Sequence, residues 1–246
     1  MGSELQELRA LIQSRRPLTV LTGAGISAES GVPTFRDGNG LWRNHDPMEI
    51  ATPEAFNRDP KLSWEFYQER RAKLVEVAPN LGHHAVAAFQ ARRPETALIT
   101  QNVDALHREA GSDRLIEMHG CIWNVRCTEC RFEEENRHVD LHLPPRCPDC
   151  GALLRPDIMW FGEHYQESMM DEIEQLLGRG GIMLVVGTSG HVHPAAAFAG
   201  YARQQGAFCI EINPNGTLNE SDMDVVVRAP AGEVLPLLLE TKDLEP

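Results

Sequence analysis

Four cysteines carry the most specific chemistry in this sequence. Cys127 and Cys130 form one C-x2-C pair, and Cys147 and Cys150 form another after sixteen intervening residues. Two such pairs can set four thiolates tetrahedrally around one Zn2+. Four sulfurs leave no position open for water or substrate, so the metal expected here is structural. A redox pair or chance spacing is the competing reading. Cys121 and Cys209 fall outside the pattern and read as small buried residues rather than nucleophiles.

A second candidate is the run Gly23, Ala24, Gly25, Ile26, Ser27, directly after the apolar segment Leu18 to Thr22. Glycines after a strand let the backbone approach a pyrophosphate, with a helix N-terminus supplying N–H groups. Alone, Gly-Ala-Gly is as readily a plain tight turn. The acidic residue that holds the ribose about twenty residues later in a simple dehydrogenase is missing. The chain reads Trp42, Arg43, Asn44, His45, Asp46 there, with no strand pattern around it. The stretch between, through Thr34, Phe35 and Arg36, reads as an ordered lid. Arg36 offers a planar cation for phosphate and Phe35 a face for a ligand ring; a surface Arg and a core Phe are the alternatives.

Polar residues also follow apolar strand-like runs: Gln101, Asn102, Val103 and Asp104 after Thr96 to Thr100, and His119 after Leu115 to Met118. Gly187, Thr188 and Ser189 follow Ile182 to Val186, and Asn213 follows Ala207 to Ile212. Ligands of an open parallel sheet sit beyond the carboxyl ends of its strands, so these side chains face a site if the runs are parallel strands. His119 is then either a general base near neutrality or a satisfied structural histidine. Tyr67 and Arg70 stand three apart and share one face of a helix, where a phenol and a guanidinium can hold a carboxylate. Otherwise Tyr67 packs and Arg70 pairs with Glu69 or Glu65.

The elements that must position these residues follow from the hydrophobic pattern. Leu5, Leu8, Leu11 and Ile12 repeat at helical spacing up to Arg15-Arg16-Pro17, and Asn80 caps a helix to about Arg92. Asp46 to Val77 reads as two helices opening near Pro53 and Pro60. Cys121 to Pro156 lacks periodicity and suits a module folded around something other than an apolar core. Thereafter strands and helices alternate: Asp157 to Trp160, Met169 to Leu177, Ile182 to Val186, Ala195 to Gln204, Ala207 to Ile212, Val225 to Val227 and Glu233 to Leu239. That alternation implies an α/β fold, a Rossmann-like parallel sheet covered on both faces. The expected division is a discontinuous Rossmann-like domain of residues 1–45, 80–120 and 157–246, and a smaller domain in which a helical module, 46–79, joins a four-cysteine zinc module, 121–156.

Composition removes other classes. The chain has 246 residues, and 23 Lys+Arg against 36 Asp+Glu gives a net charge of −13, which argues against a nucleic-acid or anionic-membrane binder. No apolar run approaches the roughly 18 residues of a membrane span. Glu4 and Glu7 leave no basic start for a secretory signal, and Gln6 stands where myristoylation wants Ser or Thr. A cytoplasmic, monomeric protein is expected.

Taken together the motifs resemble the sirtuins, NAD-dependent protein-lysine deacylases. Gly23 to Ser27, Gly31 to Arg36, Gln101 to Asp104, His119-Gly120, the four cysteines, Phe161-Gly162-Glu163, Gly187 to Ser189 and Ile212-Asn213 occur in the sirtuin order, across roughly residues 4 to 240. The resemblance implies NAD+ as co-substrate in an extended site along residues 23 to 42. Asn102 and Asp104 would lie near the nicotinamide ribose and carboxamide, Ser189 and Asn213 toward the adenosine, and Pro214, Asn215 and Ala231 would also bind the cofactor. The acyl-lysine oxygen attacks the ribose carbon as nicotinamide leaves, and His119 acts as base on a ribose hydroxyl. Free lysine, nicotinamide and O-acyl-ADP-ribose result. An acylated protein or peptide substrate would lie extended between Phe161-Gly162-Glu163 and Gly190-His191-Val192.

Tyr67 and Arg70, with the small Ala51 and the run Gly187 to Ala195, are similar to the bacterial-type subclass that removes succinyl, malonyl and glutaryl groups. A desuccinylase and demalonylase is therefore expected, with deacetylation as a further activity left open. A plain deacetylase, an ADP-ribosyltransferase or a non-catalytic NAD- and zinc-binding interaction protein are the alternatives. His191 and His193 at the peptide edge, and Pro214-Asn215 after Asn213, depart from the usual pattern.

Overall fold

The computed structural model describes residues 3–34 and 47–239. Its strands are β1 (Leu18–Thr22), β2 (Ala97–Thr100), β3 (Leu115–Glu117), β4 (Gly120–Cys127), β5 (Glu133–Glu135), β6 (Leu154–Ile158), β7 (Ile182–Val186), β8 (Phe208–Ile212) and β9 (Val225–Val227). Six form one sheet in the order β3-β2-β1-β7-β8-β9, every neighbouring pair parallel. All five residues of β1 and of β7 are buried, as expected of parallel strands covered on both faces.

The helices are α1 (Ser3–Ile12), α2 (Pro47–Ile50), α3 (Pro53–Arg58), α4 (Pro60–Leu74), α5 (Leu81–Arg92), α6 (Leu106–Glu109), α7 (Glu167–Leu177), α8 (Phe198–Gln204) and α9 (Ala231–Leu239). On one sheet face α1, α5 and α9 contribute Leu8, Ile12, Phe89 and Leu235 to a cluster with Val20 and Leu184. On the other, α7 and α8 contribute Ile173 and Phe198 against Leu21 and Val185. Each such side chain contributes about 1.5–3 kcal/mol when fully buried. Among the described residues no helix is long and apolar enough to cross a membrane.

The sequence encodes where the inserted helices begin. Thr52 accepts the Ala55 N–H at 3.0 Å to cap α3, Asp59 accepts the Leu62 N–H at 3.0 Å to cap α4, and a proline follows each cap. Helix α4 also carries Lys61 and Lys73, each paired one turn away with Glu65 (3.6 Å) and Glu69 (2.6 Å). The whole chain has only three lysines against twenty arginines.

Two expectations need correction. Asp157 to Trp160 is not a strand of the parallel sheet. Strand β6 runs 154–158, across the expected 156/157 boundary, and pairs antiparallel with β4 in a separate sheet ordered β5-β4-β6. That sheet shares an apolar cluster with the inserted helices, in which Ile50, Phe56, Trp64 and Tyr67 meet Ile122, Trp123, Leu154 and Trp160. The glycine turn, moreover, feeds no α-helix. Two 3-10 turns, Ala24–Ile26 and Ala28–Ser30, follow β1 and end at Gly31, whose φ of 92° suits glycine.

Candidate functional site

Strand order reverses between β1 and β7, and the polar segments collect along the carboxyl edge on both sides of that point, as expected of a ligand crevice in a doubly wound sheet. Backbone hydrogen bonds continue past the strands and fix the segments in a row. Gly23 N–H donates to Val186 O (3.0 Å), Gln101 N–H to Thr22 O (3.0 Å), Gly187 N–H to Ile212 O (3.0 Å) and Asn213 N–H to Val227 O (3.1 Å).

The β1 and β7 loops meet backbone to backbone. Gly25 N–H donates to Gly187 O at 2.8 Å, and a Cβ on Gly25 would lie 2.6 Å from Gly187 Cα. A methyl there displaces main chain rather than a flexible side chain. Gly25→Ala is expected to cost about 1–3 kcal/mol of stability, seen as a lower melting temperature, and to weaken NAD+ binding measured by calorimetry. The same crowding holds Ala24 and Ile26 in place, Ile26 with its side chain in the core.

Ser27 is the hub beneath this turn. Its hydroxyl donates to Asp104 Oδ2 at 2.7 Å and accepts from Asn102 Nδ2 at 3.0 Å. Asp104 Oδ1 also accepts the Leu106 N–H (3.0 Å), and Ala105 between them has φ of 67°. Burial holds the Asp104 carboxyl above its ordinary pKa, against the Leu106 N–H and the Ser27 hydroxyl, which lower it. Val103 is tied down separately, its carbonyl accepting the Ile122 N–H at 2.8 Å.

His83 completes the hub, and the sequence reading missed it. Its Nδ1 accepts the Asn80 N–H (3.2 Å), which leaves the proton on Nε2, 3.4 Å from Ser27 Oγ. Burial lowers its pKa to about 4, with His84 adding a smaller effect, so the ring is neutral. The signal in the sequence was a histidine three residues after a capping asparagine, where a capping box usually places Glu or Gln.

His119 stands beyond β3. Its Nδ1 lies 2.8 Å from the Gln101 carbonyl, so it donates through Nδ1 and keeps a lone pair on Nε2. Burial pushes its pKa below the ordinary imidazole value, more than the Gln101 carbonyl raises it. Gln101 Nε2 in turn donates to Thr188 Oγ1 (2.9 Å), and Asn213 Nδ2 to Thr188 O (2.8 Å), linking the three segments. Asn215 N–H donates to Asn213 Oδ1 (3.1 Å), while Pro214 is exposed and Ser189 is half-buried. Ala231 opens α9 with its side chain in the core; beside it, Gly232 N–H donates to Glu29 Oε2 (2.6 Å) of the glycine loop. Thr34 is half-buried at the end of the described loop, and Phe35, Arg36 and Trp42 lie outside the described residues.

The expected substrate side chains gather elsewhere around Trp160. Tyr67 is 5% exposed and its phenol oxygen accepts the Trp160 indole N–H at 2.8 Å. Phe161 N–H donates to Ala51 O at 3.0 Å. Arg70, next to Tyr67 on α4, lies over the Phe66 ring at 3.2 Å and donates to Phe66 O at 3.3 Å. The Glu69 carboxylate holds Lys73 at 2.6 Å. Phe161 and Val192 are surface-exposed at 44% and 38%, beside Gly162 and Gly190, whose φ values are 86° and 75°. Trp160 and Arg155 behind it were not singled out by the sequence reading, which named Glu163 only within the run Phe161-Gly162-Glu163.

The four cysteines converge. Their sulfurs lie within 4.8 Å of one another, Cys127 to Cys150 at 3.5 Å and Cys130 to Cys147 at 3.6 Å. Tetrahedral zinc with Zn–S of roughly 2.3 Å needs sulfurs about 3.8 Å apart, so the donor set and spacing fit one structural Zn2+.

Comparison with known proteins agrees with this geometry. The Sir2 family model matches residues 23–194. An NAD-dependent protein deacylase of Pyrococcus furiosus is 46% identical over 242 residues, covering 96% of this chain and 97% of that protein. One of Aquifex aeolicus is 48% identical over 201 residues, covering 81% and 84%. Among solved structures, a Sir2 homolog in complex with NAD superposes with a TM-score of 0.89 at 40% identity, covering 97% of this chain and 93% of that one. A Sir2 protein with a p53 peptide and NAD+ gives 0.83 at 29% identity, covering 96% of each. The chain therefore belongs to the Sir2 family and is an NAD-dependent protein deacylase that takes NAD+ as co-substrate and a structural zinc.

Proposed function

We propose that this deacylase removes succinyl and malonyl groups from lysine, with acetyl as a further substrate, and releases free lysine, nicotinamide and O-acyl-ADP-ribose. The observation that carries the acidic preference is Tyr67 and Arg70 on one face of α4, with Tyr67 bonded to the segment that leads to Phe161. Burial, the largest influence, pushes the Tyr67 phenol up to about 12, so it stays protonated near neutral pH and can donate. A protonated phenol and a guanidinium are both donors to an acyl carboxylate, and the methyl of Ala51 leaves room for the longer chain.

NAD+, when bound, supplies a ribose carbon from which nicotinamide departs. His119, with its proton fixed on Nδ1 by the Gln101 carbonyl, receives a hydroxyl proton on Nε2. Asn102 and Asp104, locked to Ser27, would hold the nicotinamide side, the turn at Gly23, Ala24 and Gly25 would hold the pyrophosphate, and Ser189 and Asn213 would hold the adenosine. The peptide lies extended between Phe161-Gly162 and Gly190-His191-Val192, pairing by its backbone.

The test is mass spectrometry of matched succinyl-lysine and acetyl-lysine peptides, with and without NAD+. Succinyl loss should outpace acetyl loss. Arg70→Met should lower succinyl kcat/KM by about tenfold or more, the scale of a hydrogen bond to a charged group, and acetyl turnover far less. Equal losses would sink the carboxylate role, acetyl removal alone would leave a plain deacetylase, and ADP-ribose found on protein would favour the transferase reading.

A further inference from the structure

Resting on the acidic-acyl reading, we propose that Trp160 is a positioning residue for substrate selection: it occupies the acceptor side of the Tyr67 hydroxyl, so that its hydrogen points at the acyl group. A phenol both donates and accepts, whereas an indole N–H only donates. With Trp160 Nε1 donating to the Tyr67 oxygen at 2.8 Å, the hydroxyl hydrogen must turn to another acceptor. A carboxylate is such an acceptor, and the methyl of an acetyl group is not. An unassisted phenol could present either its lone pair or its hydrogen to the pocket, and a lone pair would repel an acidic acyl group.

The indole is held for this task. Trp160 is 2% exposed, and its backbone N–H donates to Glu163 Oε2 at 2.8 Å. The Arg155 guanidinium covers its ring 3.4 Å from the centroid, while the rings of Phe56 (5.2 Å) and Tyr67 (6.5 Å) pack against it. Arg155 is itself clamped by both oxygens of Glu163, at 2.5 and 3.0 Å, and by the Ile158 carbonyl at 2.8 Å. That bidentate pair neutralises the Arg155 charge behind the indole.

A double-mutant cycle tests this, read as the ratio of succinyl to acetyl kcat/KM on matched lysine peptides with the full chain and NAD+. Tyr67→Phe should lower the ratio about tenfold, and Trp160→Phe, which keeps a ring but loses the N–H, about threefold, mainly through the KM of the succinyl peptide. In Tyr67→Phe, adding Trp160→Phe should change the ratio no further, because the group it orients is gone. An unchanged ratio in Trp160→Phe, or an equal drop in both backgrounds, overturns the proposal. Should Trp160→Phe not fold, Arg155→Lys carries the same cycle, since lysine can neither stack nor clamp bidentately. If Tyr67→Phe and Arg70→Met both leave the ratio unchanged, the acidic-acyl reading itself falls; if only the Trp160 effect is absent, that reading survives alone.

Discussion

Replacing His119 with tyrosine is expected to lower kcat by at least about 100-fold, the lower end of what a general base contributes, while the fold survives. Survival is expected because His119 is only half-buried and its ring lies 6.1 Å from that of Tyr165, in surroundings that already hold a tyrosine. The variant cannot take up a proton near neutrality. For the native chain the sign of the pH dependence follows from the lowered His119 pKa. The base is neutral above that value, so kcat should rise below pH of roughly 6.5 and be level from about 7 to 8. Steady-state kinetics and circular dichroism of both proteins check this. An active His119→Tyr protein, or a native rise centred well above 7, would remove His119 from the base role.

Stripping the zinc should have the other large effect. Strand β5 is Glu133, Glu134 and Glu135, all exposed, so this edge strand adds no apolar side chain to the sheet's core. Structural zinc sites of this kind contribute about 10–16 kcal/mol of apparent binding energy, more than such a module supplies by itself. A strong chelator, or Cys127→Ser, should therefore melt the module and lower the unfolding temperature of the chain. Activity should fall with it, because β4 ends at Cys127 yet holds the candidate-site segment at Val103 and Asp104: Ile122 N–H donates to Val103 O (2.8 Å) and Trp123 Nε1 to Asp104 O (3.3 Å). Metal analysis should find one zinc per folded chain. Folded, active protein without metal would refute the four-thiolate site.

Residues whose partners are set by strand ends were readable from sequence. The apolar runs at 18–22, 96–100, 115–118 and 182–186 announce parallel strands, and whatever follows such a strand lies at the carboxyl edge, which is why Gln101, His119 and Thr188 were candidates. The antiparallel sheet was not readable. β6 contains Arg155, Pro156 and Asp157, an unlikely strand by composition, and its partner β4 lies nearly thirty residues earlier in the chain. Pro156 and Asp157 are tolerated there because β6 is an edge strand. Nor could the sequence pair His83 with Ser27, or the indole of Trp160 with Tyr67, since those contacts join segments 56 and 93 residues apart. The glycine turn misled for a related reason: Gly25 pressed on Gly187 and Glu29 captured by Gly232 hold short turns where local pattern suggested a helix.

The lysines of α4 bear on the enzyme's own chemistry. Reactive acyl thioesters modify lysine amines, whereas the guanidinium of arginine keeps its charge and is a poor nucleophile at neutral pH. A chain with twenty arginines and three lysines offers few sites for the modification it removes. Lys61 and Lys73 each sit in an exposed ion pair on α4, with Glu65 and Glu69. The positive charge of the chain therefore rests largely on guanidinium groups, which acylation of lysine leaves untouched.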